Sequence, residues 1–405
     1  MFQSFEVRWG VLLLLLITSC NVPETAVHQN SSDTLSSDTT STLTDSVKLK
    51  PSSLTTDEAT QAHLGQGYDF EGNGKDLNGP HFEQLFEARS IQARYVLLSA
   101  AVRQGLRQQL AYLNRFSKNR SYGTWNRNDL KQVLQHLLSY QADTVWLDST
   151  FHLLQSAGED SLGNVHFTGY YSPVISARSR PDSIYKFPIY RKPKGKGQLP
   201  SRYAIDIENA LANHGLEIAW ARDLLDVYFL QVQGSGYLQL EYGQPQMLQY
   251  GGKNGHRYRS LGKLLVARGV VPPSEISMSA IRKYFEAHPD SLKIMLAQNP
   301  SYTFFTPTDA APSGSIGLPL TPFHSVAVDP KIYPYGAVLL AEIPQLKNGR
   351  LVGHQWQVVL AQDRGAAIKG PGHVDLYCGA GSEGGKAAGN LHHYGKMWLL
   401  LPASN

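Results

Sequence analysis

Two aspartates near the C-terminal end of the chain have the type and spacing for acid/base chemistry. Asp363 and Asp375 lie in the stretch AQDRGAAIKGPGHVDLYCGAGSEGG, with Lys369 between them. Asp363 follows the apolar run VVLAQ and therefore ends a predicted strand. Asp375 stands in HVDLY, which alternates like a short strand, with Val374 and Leu376 on the face opposite to the acid. Two carboxylates on strands suit general acid/base catalysis.

The loop between the two acids is rich in turn formers. Gly365, Gly370, Pro371 and Gly372 allow the backbone to approach a ligand closely. The same composition fits a purely structural alternative, because aspartates often accept hydrogen bonds from backbone amides in tight turns. From these residues alone, the catalytic and the structural interpretations both stay open.

Other kinds of site find little support in the sequence. There is no G-x-S-x-G, P-loop or H-E-x-x-H motif. The adjacent His392 and His393 point in different directions on any strand or helix, so their spacing does not make them paired metal ligands. Cys378 lacks a second element that would support a thiol nucleophile, and a free cysteine is typically a small buried hydrophobe.

The elements that must position the two acids are mainly strands. Short runs rich in β-branched and aromatic residues, separated by glycine and proline, begin at Val165 and predict strands. They are VHFTGYYSPVISARS, YKFPIYRKP, VYFLQVQGSGYLQLEYG and HSVAVDPKIYPYGAVLLAEI. Helical spacing returns in YRSLGKLLVARG and SEISMSAIRKYFEAHP. The predicted fold is mainly β with flanking helices.

Helices are predicted before this β region. The stretch from His81 to Ser117 carries apolar residues at helical spacing, and DLKQVLQHLLSYQ opens a second helix at Asp129, whose carboxylate can cap free amides. Both are interpreted as packing elements. The apolar positions of the first helix are Leu85, Tyr95, Leu98, Ala101, Leu106, Leu110 and Leu113.

The N-terminus has the pattern of an export signal. Arg8 precedes an apolar run at 11–17, which is shorter than the ~20 residues needed to span a bilayer. Ile-Thr-Ser-Cys follows and resembles a bacterial lipoprotein signal, which implies lipidation of Cys20; a plain signal peptide with a chance cysteine is the alternative. Asn21 resembles an outer-membrane address. The Ser/Thr/Asp-rich segment up to residue 60 predicts a flexible tether.

Composition sets wider bounds. The chain has 405 residues, enough for two domains, and its formal charge of +4 is spread without a block of like charge. Nucleic acid is therefore not indicated as a partner. With only two cysteines, of which Cys20 is expected to carry lipid, no intramolecular disulfide is predicted.

Nine motifs in order make the chain resemble the membrane-bound lytic murein transglycosylase A family. The resemblance covers residues 165–401. The motifs are FTGYYSPVI, FPIYRKP, LPSRYAI, VQGSGYL, YGGKNGHRYRSLGKLL, NPSYTFF, VAVDP, AQDRGAAIKG and HVDLY.

The resemblance implies a reaction and an architecture. The family cleaves the β-1,4 bond between N-acetylmuramic acid and N-acetylglucosamine and leaves a 1,6-anhydro ring, so its members are lyases. A double-psi β-barrel carries an inserted β-domain, and the glycan strand lies in the groove between them. Together with the N-terminal patterns, the resemblance gives these expected boundaries: a signal peptide at 1–19, a tether at 20–60, helices and the first barrel part at 61–172, the insert at 173–307 and the second barrel part at 308–405.

The family's motifs also imply roles for residues. The single catalytic acid falls on Asp375 and its supporting acid on Asp363, with Lys369 in the same motif. Two departures, Gly365-Ala366 in place of Gly-Gly and an extra residue near Pro371, remove neither acid. The implied groove and substrate-binding residues are Thr168, Gly169, Tyr170, Tyr171, Gln233, Ser235, Lys253, Asn254, His256, Arg259 and Ser260. Tyr170, Tyr171 and Tyr237 are expected to serve as platforms for sugar rings, with core packing as the alternative for each of them.

The implied setting is the cell envelope. The expected partners are peptidoglycan strands and the outer membrane, reached through the lipid on Cys20 and facing the periplasm; the protein is expected to be a monomer without metal or other cofactor. Two rival interpretations remain. One is a hydrolase that uses Asp363 and Asp375 as an inverting pair, and the other is a wall-binding protein without catalysis.

Overall fold

The computed structural model describes residues 86–88, 94–147, 150–195, 197–272, 275–347 and 349–403. The signal peptide, Cys20 and the tether predicted at 20–60 lie outside these residues. Within them, no helix is both long and apolar enough to span a membrane.

The region before the barrel combines two helices with short strands. Its elements are β1 (Phe86–Ala88), β2 (Arg94–Leu97), α1 (Ala100–Asn114), β3 (Ser121–Tyr122), β4 (Trp125–Asn126), α2 (Arg127–Ser139), β5 (Thr144–Leu147) and β6 (Phe151–Ser156). Asp129 accepts a hydrogen bond from the Asn126 backbone N–H at 2.6 Å, so the predicted cap is confirmed, although α2 begins two residues earlier than predicted.

The prediction of one helix from His81 onward is wrong at its start. Residues 94–97 form β2, which pairs antiparallel with β5, and Tyr95 lies opposite Trp146. Val96 is buried, whereas Tyr95 is 55% exposed. This alternation is that of a strand, and α1 begins only after Ser99, whose hydroxyl accepts from the Val102 N–H at 3.3 Å.

A closed six-stranded barrel holds both acids. Its strands are β7 (Val165–Ser172), β14 (Ser325–Ala327), β15 (Val338–Lys347), β16 (Arg350–Asp363), β17 (His373–Ala380) and β18 (His392–Pro402). The order is β18-β15-β16-β14-β17-β7, and β7 pairs back onto β18. The helices α1 and α2 share one apolar core with the barrel strands, to which Leu106, Leu134 and Leu360 contribute.

A second sheet lies in the chain between β7 and β14. Its strands are β8 (Val174–Arg178), β9 (Phe187–Tyr190), β10 (Glu217–Ala221), β11 (Gly236–Gln239), β12 (Gln246–Lys253) and β13 (Thr303–Thr308), in the order β13-β12-β11-β8-β10-β9. Its helices are α3 (Arg202–Asp206), α4 (Leu224–Gln233), α5 (Leu261–Ala267), α6 (Met278–Ala287) and α7 (Leu292–Ala297), with a 3₁₀ turn at Pro289–Ser291.

One predicted strand of this domain is a helix. VYFLQVQ belongs to α4, which Asp223 caps by accepting from the Leu225 N–H at 2.8 Å and which ends at Gly234 with φ of 82°. Seven residues of α4 are buried, so the helix carries no polar stripe that would reveal its period. The mainly β architecture with a second β-domain is confirmed; the double-psi connection and the exact domain boundaries stay predictions.

Candidate active site

The strand register brings the chemically interesting side chains to one face of the barrel sheet. β17 runs parallel to β7, and Asp375 lies opposite Thr168 while Tyr377 lies opposite Tyr170. Because side chains alternate along strands, these four residues share a face. The opposite face enters the core, where Val374 is fully buried, as the alternation in HVDLY predicts.

Asp375 has the properties of a proton donor near neutral pH. Thr168 Oγ1 donates to Asp375 Oδ1 at 2.9 Å. Burial raises the pKa of Asp375 to about 7; the Thr168 hydrogen bond opposes this shift, and the negative charge of Asp363 adds to it. The side chain is nevertheless only half-buried, so it meets solvent on one side. Among the described residues, no protein donor reaches Oδ2, which leaves that oxygen for a ligand.

Asp363 lies two strands away. Ala327 of β14 is in register with Asp375 on one side and with Asp363 on the other. Neighbouring strands are about 4.8 Å apart, which places the two Cα atoms about 10 Å from each other. Ala327, Tyr170, Ile368 and Tyr377 form a small buried cluster beside the carboxylates. This apolar environment is the physical source of the desolvation that raises both pKa values.

Protein donors engage both oxygens of the Asp363 carboxylate. Its Oδ1 accepts from the Ser315 N–H at 2.9 Å, the Ser315 hydroxyl at 2.6 Å and the Arg364 N–H at 2.8 Å, and its Oδ2 accepts from the Tyr170 hydroxyl at 3.0 Å. Burial raises its pKa, and these bonds oppose the rise. Oδ1 is fully used by three protein donors, whereas Oδ2 accepts one hydrogen bond and keeps one acceptor position for a substrate or water.

The glycine-rich loop between the acids is anchored. Gly370 N–H donates to Asp329 Oδ2 at 3.1 Å, and the Pro371 carbonyl accepts from the Tyr333 hydroxyl at 2.6 Å and the Ser156 hydroxyl at 2.9 Å. A Cβ on Gly372 would lie 2.1 Å from a backbone nitrogen of the neighbouring chain segment, so only glycine fits. The Pro371-Gly372 sequence, where this chain departs from the family, is thus well packed.

The predicted groove residues of β7 differ in how much of their side chain is accessible to a ligand. Tyr170 is buried and its hydroxyl is committed to Asp363, so its ring offers little surface to a sugar. Tyr171 is half-buried, and its backbone N–H donates to Gln233 Oε1 at 2.9 Å, which links barrel and second domain. Gly169 packs against α8 (Gly381–Asn390): a Cβ there would lie 2.6 Å from Ala388 Cα.

Several predicted residues of the second domain organise its loops. Asn254 is 1% exposed, and its amide donates to the Pro200 and Pro300 carbonyls, both at 2.9 Å. His256 Nε2 lies 2.9 Å from the Leu199 carbonyl oxygen. The Ser260 hydroxyl caps α5. These contacts favour supporting roles for all three.

The remaining predicted residues are more accessible. Lys253, Arg259 and Lys369 are exposed, and Ser235 is half-buried. Although Lys253 is exposed as a whole residue, partial burial of its ammonium group lowers its pKa, and the positive charges of Arg364 and Lys369 lower it further. The Lys253 ammonium of the second domain therefore lies within electrostatic reach of Arg364 and Lys369 in the glycine-rich loop.

Sequence reasoning missed two contributors to the site, His373 and Ser315. His373 alternates with Asp375 in the same strand, so the period of two could have revealed it. Tyr377, on the same face, lies with its hydroxyl 3.0 Å from the Ser172 hydroxyl. Ser315 donates to Asp363 although the two residues are 48 positions apart in the sequence, so no local sequence pattern could predict this contact.

The cysteine and the adjacent histidines do not form a second catalytic site. Cys378 is free and buried, and burial raises the pKa of its thiol to about 12, which disfavours a thiolate. His392 contacts His166, with Nδ1 and Nε2 2.9 Å apart. In the part of the chain that the structure describes, no group of histidines, cysteines and acids is arranged to hold a metal ion.

Comparison with known proteins agrees with this geometry. The family model described as "MltA specific insert domain" matches residues 166–306, and the one described as "3D domain" matches residues 324–401. Membrane-bound lytic murein transglycosylase A of Escherichia coli K12 is 42% identical over 295 residues, which are 71% of this chain and 80% of that protein. The Vibrio cholerae protein of the same name is 42% identical over 253 residues, 61% of this chain and 68% of that protein.

Solved structures show the same similarity. E. coli MltA with bound chitohexaose superposes with a TM-score of 0.67 at 35% identity, covering 84% of this chain and 98% of that chain. A membrane-bound lytic murein transglycosylase from Agrobacterium tumefaciens gives a TM-score of 0.63 at 26% identity, covering 77% of this chain and 98% of that chain.

The barrel, the second β-domain and these relatives define an enzyme of the lyase class that acts on peptidoglycan. The chain belongs to the membrane-bound lytic murein transglycosylase A family.

Proposed function

We propose that this enzyme cleaves the β-1,4 bond between N-acetylmuramic acid and N-acetylglucosamine and forms 1,6-anhydromuramic acid, with Asp375 as the single acid and base. The family's activity and the properties of Asp375 support the proposal. Asp375 combines an open Oδ2, a hydrogen bond from Thr168 on Oδ1 and a pKa of about 7. A carboxyl group with this pKa is present in both protonation states at neutral pH.

The proposed reaction moves one proton out and one proton back. Protonated Asp375 donates to the glycosidic oxygen while the C1–O bond breaks and positive charge develops at C1. The resulting carboxylate takes the proton of the C6 hydroxyl, whose oxygen forms the new bond to C1. Because nucleophile and electrophile belong to one sugar, the attack has a high effective concentration and needs no water. Thr168 stabilises the carboxylate between the two steps.

The observation that carries the proposal is the contrast between Asp363, which four protein donors hold, and Asp375, which accepts one hydrogen bond and has an open Oδ2. An inverting hydrolase needs a second carboxylate that can accept a proton from water. All four hydrogen bonds to Asp363 come from protein donors, on both of its oxygens. We therefore assign Asp363 to holding Tyr170 and the segment at Ser315, and to adding negative charge beside Asp375.

The groove residues support a polysaccharide substrate. Tyr171 and Tyr237 are half-buried and can stack on sugar rings with one face, and Gln233 joins the two walls through Tyr171. Lys253, Arg364 and Lys369 bring positive charge from both walls, which suits the carboxylates of peptide-bearing glycans. The E. coli relative has been solved with chitohexaose, an uncharged glycan, bound.

The proposed location follows from the N-terminal sequence. We infer that Cys20 carries the lipid and that the protein is anchored in the outer membrane facing the periplasm, where peptidoglycan lies within reach of the tether. The relatives' description as membrane-bound supports envelope association. We propose that the protein acts there as a monomer in cell-wall turnover.

Mass spectrometry of the released fragments tests the reaction. Purified sacculi digested with the enzyme should yield muropeptides that are lighter by one water than those released by a muramidase, because the anhydro ring closes without hydrolysis. Fragments with ordinary reducing ends would instead establish the hydrolase. A matched digestion with Asp309→Asn, which changes an exposed acid just after β13, should give the same products as the wild type.

The pH profile tests the state of Asp375. Because the reaction begins with protonated Asp375, turnover should fall on the alkaline side of a pKa of about 7. Above it, the rate should decrease about tenfold per pH unit, as the fraction of the acid form does. The measurement is the initial rate of soluble muropeptide release from pH 5 to 9. A rate that stays constant to pH 9 would contradict this role.

A further inference from the structure

We propose that His373 is a positioning residue for Asp375: it donates a hydrogen bond to Thr168 Oγ1 and thereby commits the single proton of that hydroxyl to the Asp375 carboxylate. The inference rests on the proposed role of Asp375. It assigns His373 to a chain of three side chains, His373, Thr168 and Asp375, which we call the relay.

The distances support the relay. Thr168 Oγ1 lies 3.2 Å from His373 Nε2 and 2.9 Å from Asp375 Oδ1. A third neighbour, the Val374 carbonyl oxygen, lies 3.4 Å away and is a competing acceptor for the same proton. The hydroxyl therefore has a choice between two acceptors, and the nearer one is the carboxylate.

A hydroxyl group has one proton, and its neighbours decide where that proton points. If His373 presents Nε2–H, it occupies a lone pair of Thr168 Oγ1 and cannot take its proton. If Nε2 lacked the proton, it would accept from Thr168, and Asp375 would lose its donor. The tautomer of His373 thus determines whether the carboxylate formed in the first step is stabilised.

The strand register explains why His373 reaches this position. His373 lies opposite His166 in the β17–β7 pair, one period before Asp375 and Thr168. On the other side of β7, His392 is opposite Thr168 and Tyr394 is opposite His166. Three neighbouring strands therefore place histidines and a tyrosine on the face that carries Asp375.

The ring of His373 is held by this layer. It stacks on His166 with centroids 5.1 Å apart and planes inclined by 23°. His166 stacks in turn on Tyr394 with the same separation and inclination, and its Nε2 lies 2.9 Å from His392 Nδ1. Tyr394 donates to Glu159 at 2.8 Å. A ring confined in this way keeps Nε2 directed at Thr168.

Several titratable groups of the described residues face the relay. His166 and His392 face His373 from β7 and β18, and Glu159 faces the layer through Tyr394. Asp375 is faced by Asp363 of β16 and Tyr170 of β7, with Cys378 on its own strand. Since Asp363 is present in every variant below, a change in the Asp375 pKa reports on the relay.

Two amide variants separate the hydrogen bond from the histidine charge. His373→Gln keeps an N–H donor near the position of Nε2, whereas the shorter side chain of His373→Asn does not reach Thr168. Loss of the donor frees the Thr168 proton to turn to Val374, so the carboxylate is less stabilised. The alkaline limb of the rate profile should move up by about one pH unit in His373→Asn and stay in place in His373→Gln.

A double-variant comparison completes the test. Thr168→Val should move the alkaline limb in the same direction as His373→Asn, and adding His373→Asn to Thr168→Val should move it no further, because the histidine acts through the hydroxyl. Thr168→Ser, which keeps the hydroxyl, should restore the wild-type limb. His152→Gln, an exposed histidine on β6, is the matched control and should leave the limb unchanged.

Three results would overturn the relay. They are an equal shift in His373→Gln and His373→Asn, which would indicate a charge effect, an unshifted limb in His373→Asn, and additive shifts in the double variant. If both His373 variants fail to fold by circular dichroism, the relay is also rejected in favour of a purely structural histidine. Failure of the proposed function is distinguishable, because it shows as reducing-end products or as full activity of Asp375→Asn.

Discussion

Replacing Asp375 by asparagine should abolish turnover while keeping the fold. The amide has the shape of the carboxylic acid and can still accept from Thr168, but it cannot donate a proton to a glycosidic oxygen or take one from a C6 hydroxyl. General acid or base catalysis contributes about 10²–10⁴-fold, and Asp375 is proposed to serve in both steps. The rate of muropeptide release from purified sacculi should therefore fall by at least about 1,000-fold.

The control for this loss is another aspartate. Asp309→Asn removes an exposed acid just after β13 and should retain the wild-type rate. The circular dichroism spectrum of Asp375→Asn should match that of the wild type, because the Thr168 contact and the strand pairing do not require the charge. Lysis of sacculi by Asp375→Asn at a near-normal rate would refute the central assignment.

The same substitution should stabilise the protein at alkaline pH. Burial raises the pKa of Asp375 in the folded state from 3.8 to about 7. Between these two values the folded protein holds a proton that the unfolded chain has released, so its stability decreases as the pH rises through this window. Asparagine has no charge to bury. Above pH 7 the variant should gain on the order of 2–4 kcal/mol in the free energy of unfolding.

Urea unfolding at two pH values measures this gain. At pH 8 the midpoint of Asp375→Asn should lie above that of the wild type, and near pH 4 the two should nearly coincide, because Asp375 is then protonated in the folded wild type as well. The control Asp309→Asn should show no such pH-dependent difference. If the difference between the urea midpoints of the wild type and Asp375→Asn were the same at both pH values, the Asp375 carboxylate would not be in an unfavourable environment.

These two expectations describe one physical trade-off. The desolvation that raises the pKa of Asp375 costs stability at neutral pH and at the same time keeps a proton available for the glycosidic oxygen. Catalytic groups often carry such a cost, and their replacement commonly stabilises the fold at the expense of activity. The Thr168 hydrogen bond limits the cost by favouring the carboxylate.

Local patterns in the sequence predicted the strands that carry the two acids. VVLAQ ends at Asp363, the last residue of β16, and HVDLY lies in β17 with Val374 buried on the opposite face. The prediction from alternation is right here because one face of each strand is buried, so apolar and polar residues alternate in the sequence with a period of two. The ordered motifs predicted the family in the same way, since each is a short contiguous run.

Local patterns failed where burial removed the contrast between faces. VYFLQVQ is β-branched and aromatic, but it forms the helix α4 because it is buried nearly all round and is bounded by Asp223 and Gly234. Tyr95 matches a helical period by chance, although β2 pairs with β5 there. In both cases contacts with distant segments outweighed the local preference.

The chemical identity of the site is thus a property of the sequence, and its chemical state is a property of the closed barrel. The sequence by itself determined which residues are available: Asp363, Asp375 and the glycine-rich loop between them. Only the tertiary structure decided that Thr168 donates to Asp375 across 207 residues and that Tyr170 reaches Asp363 across 193. A pKa depends on burial and on neighbouring charges and donors, and these come from strands that barrel closure brings together from distant parts of the chain.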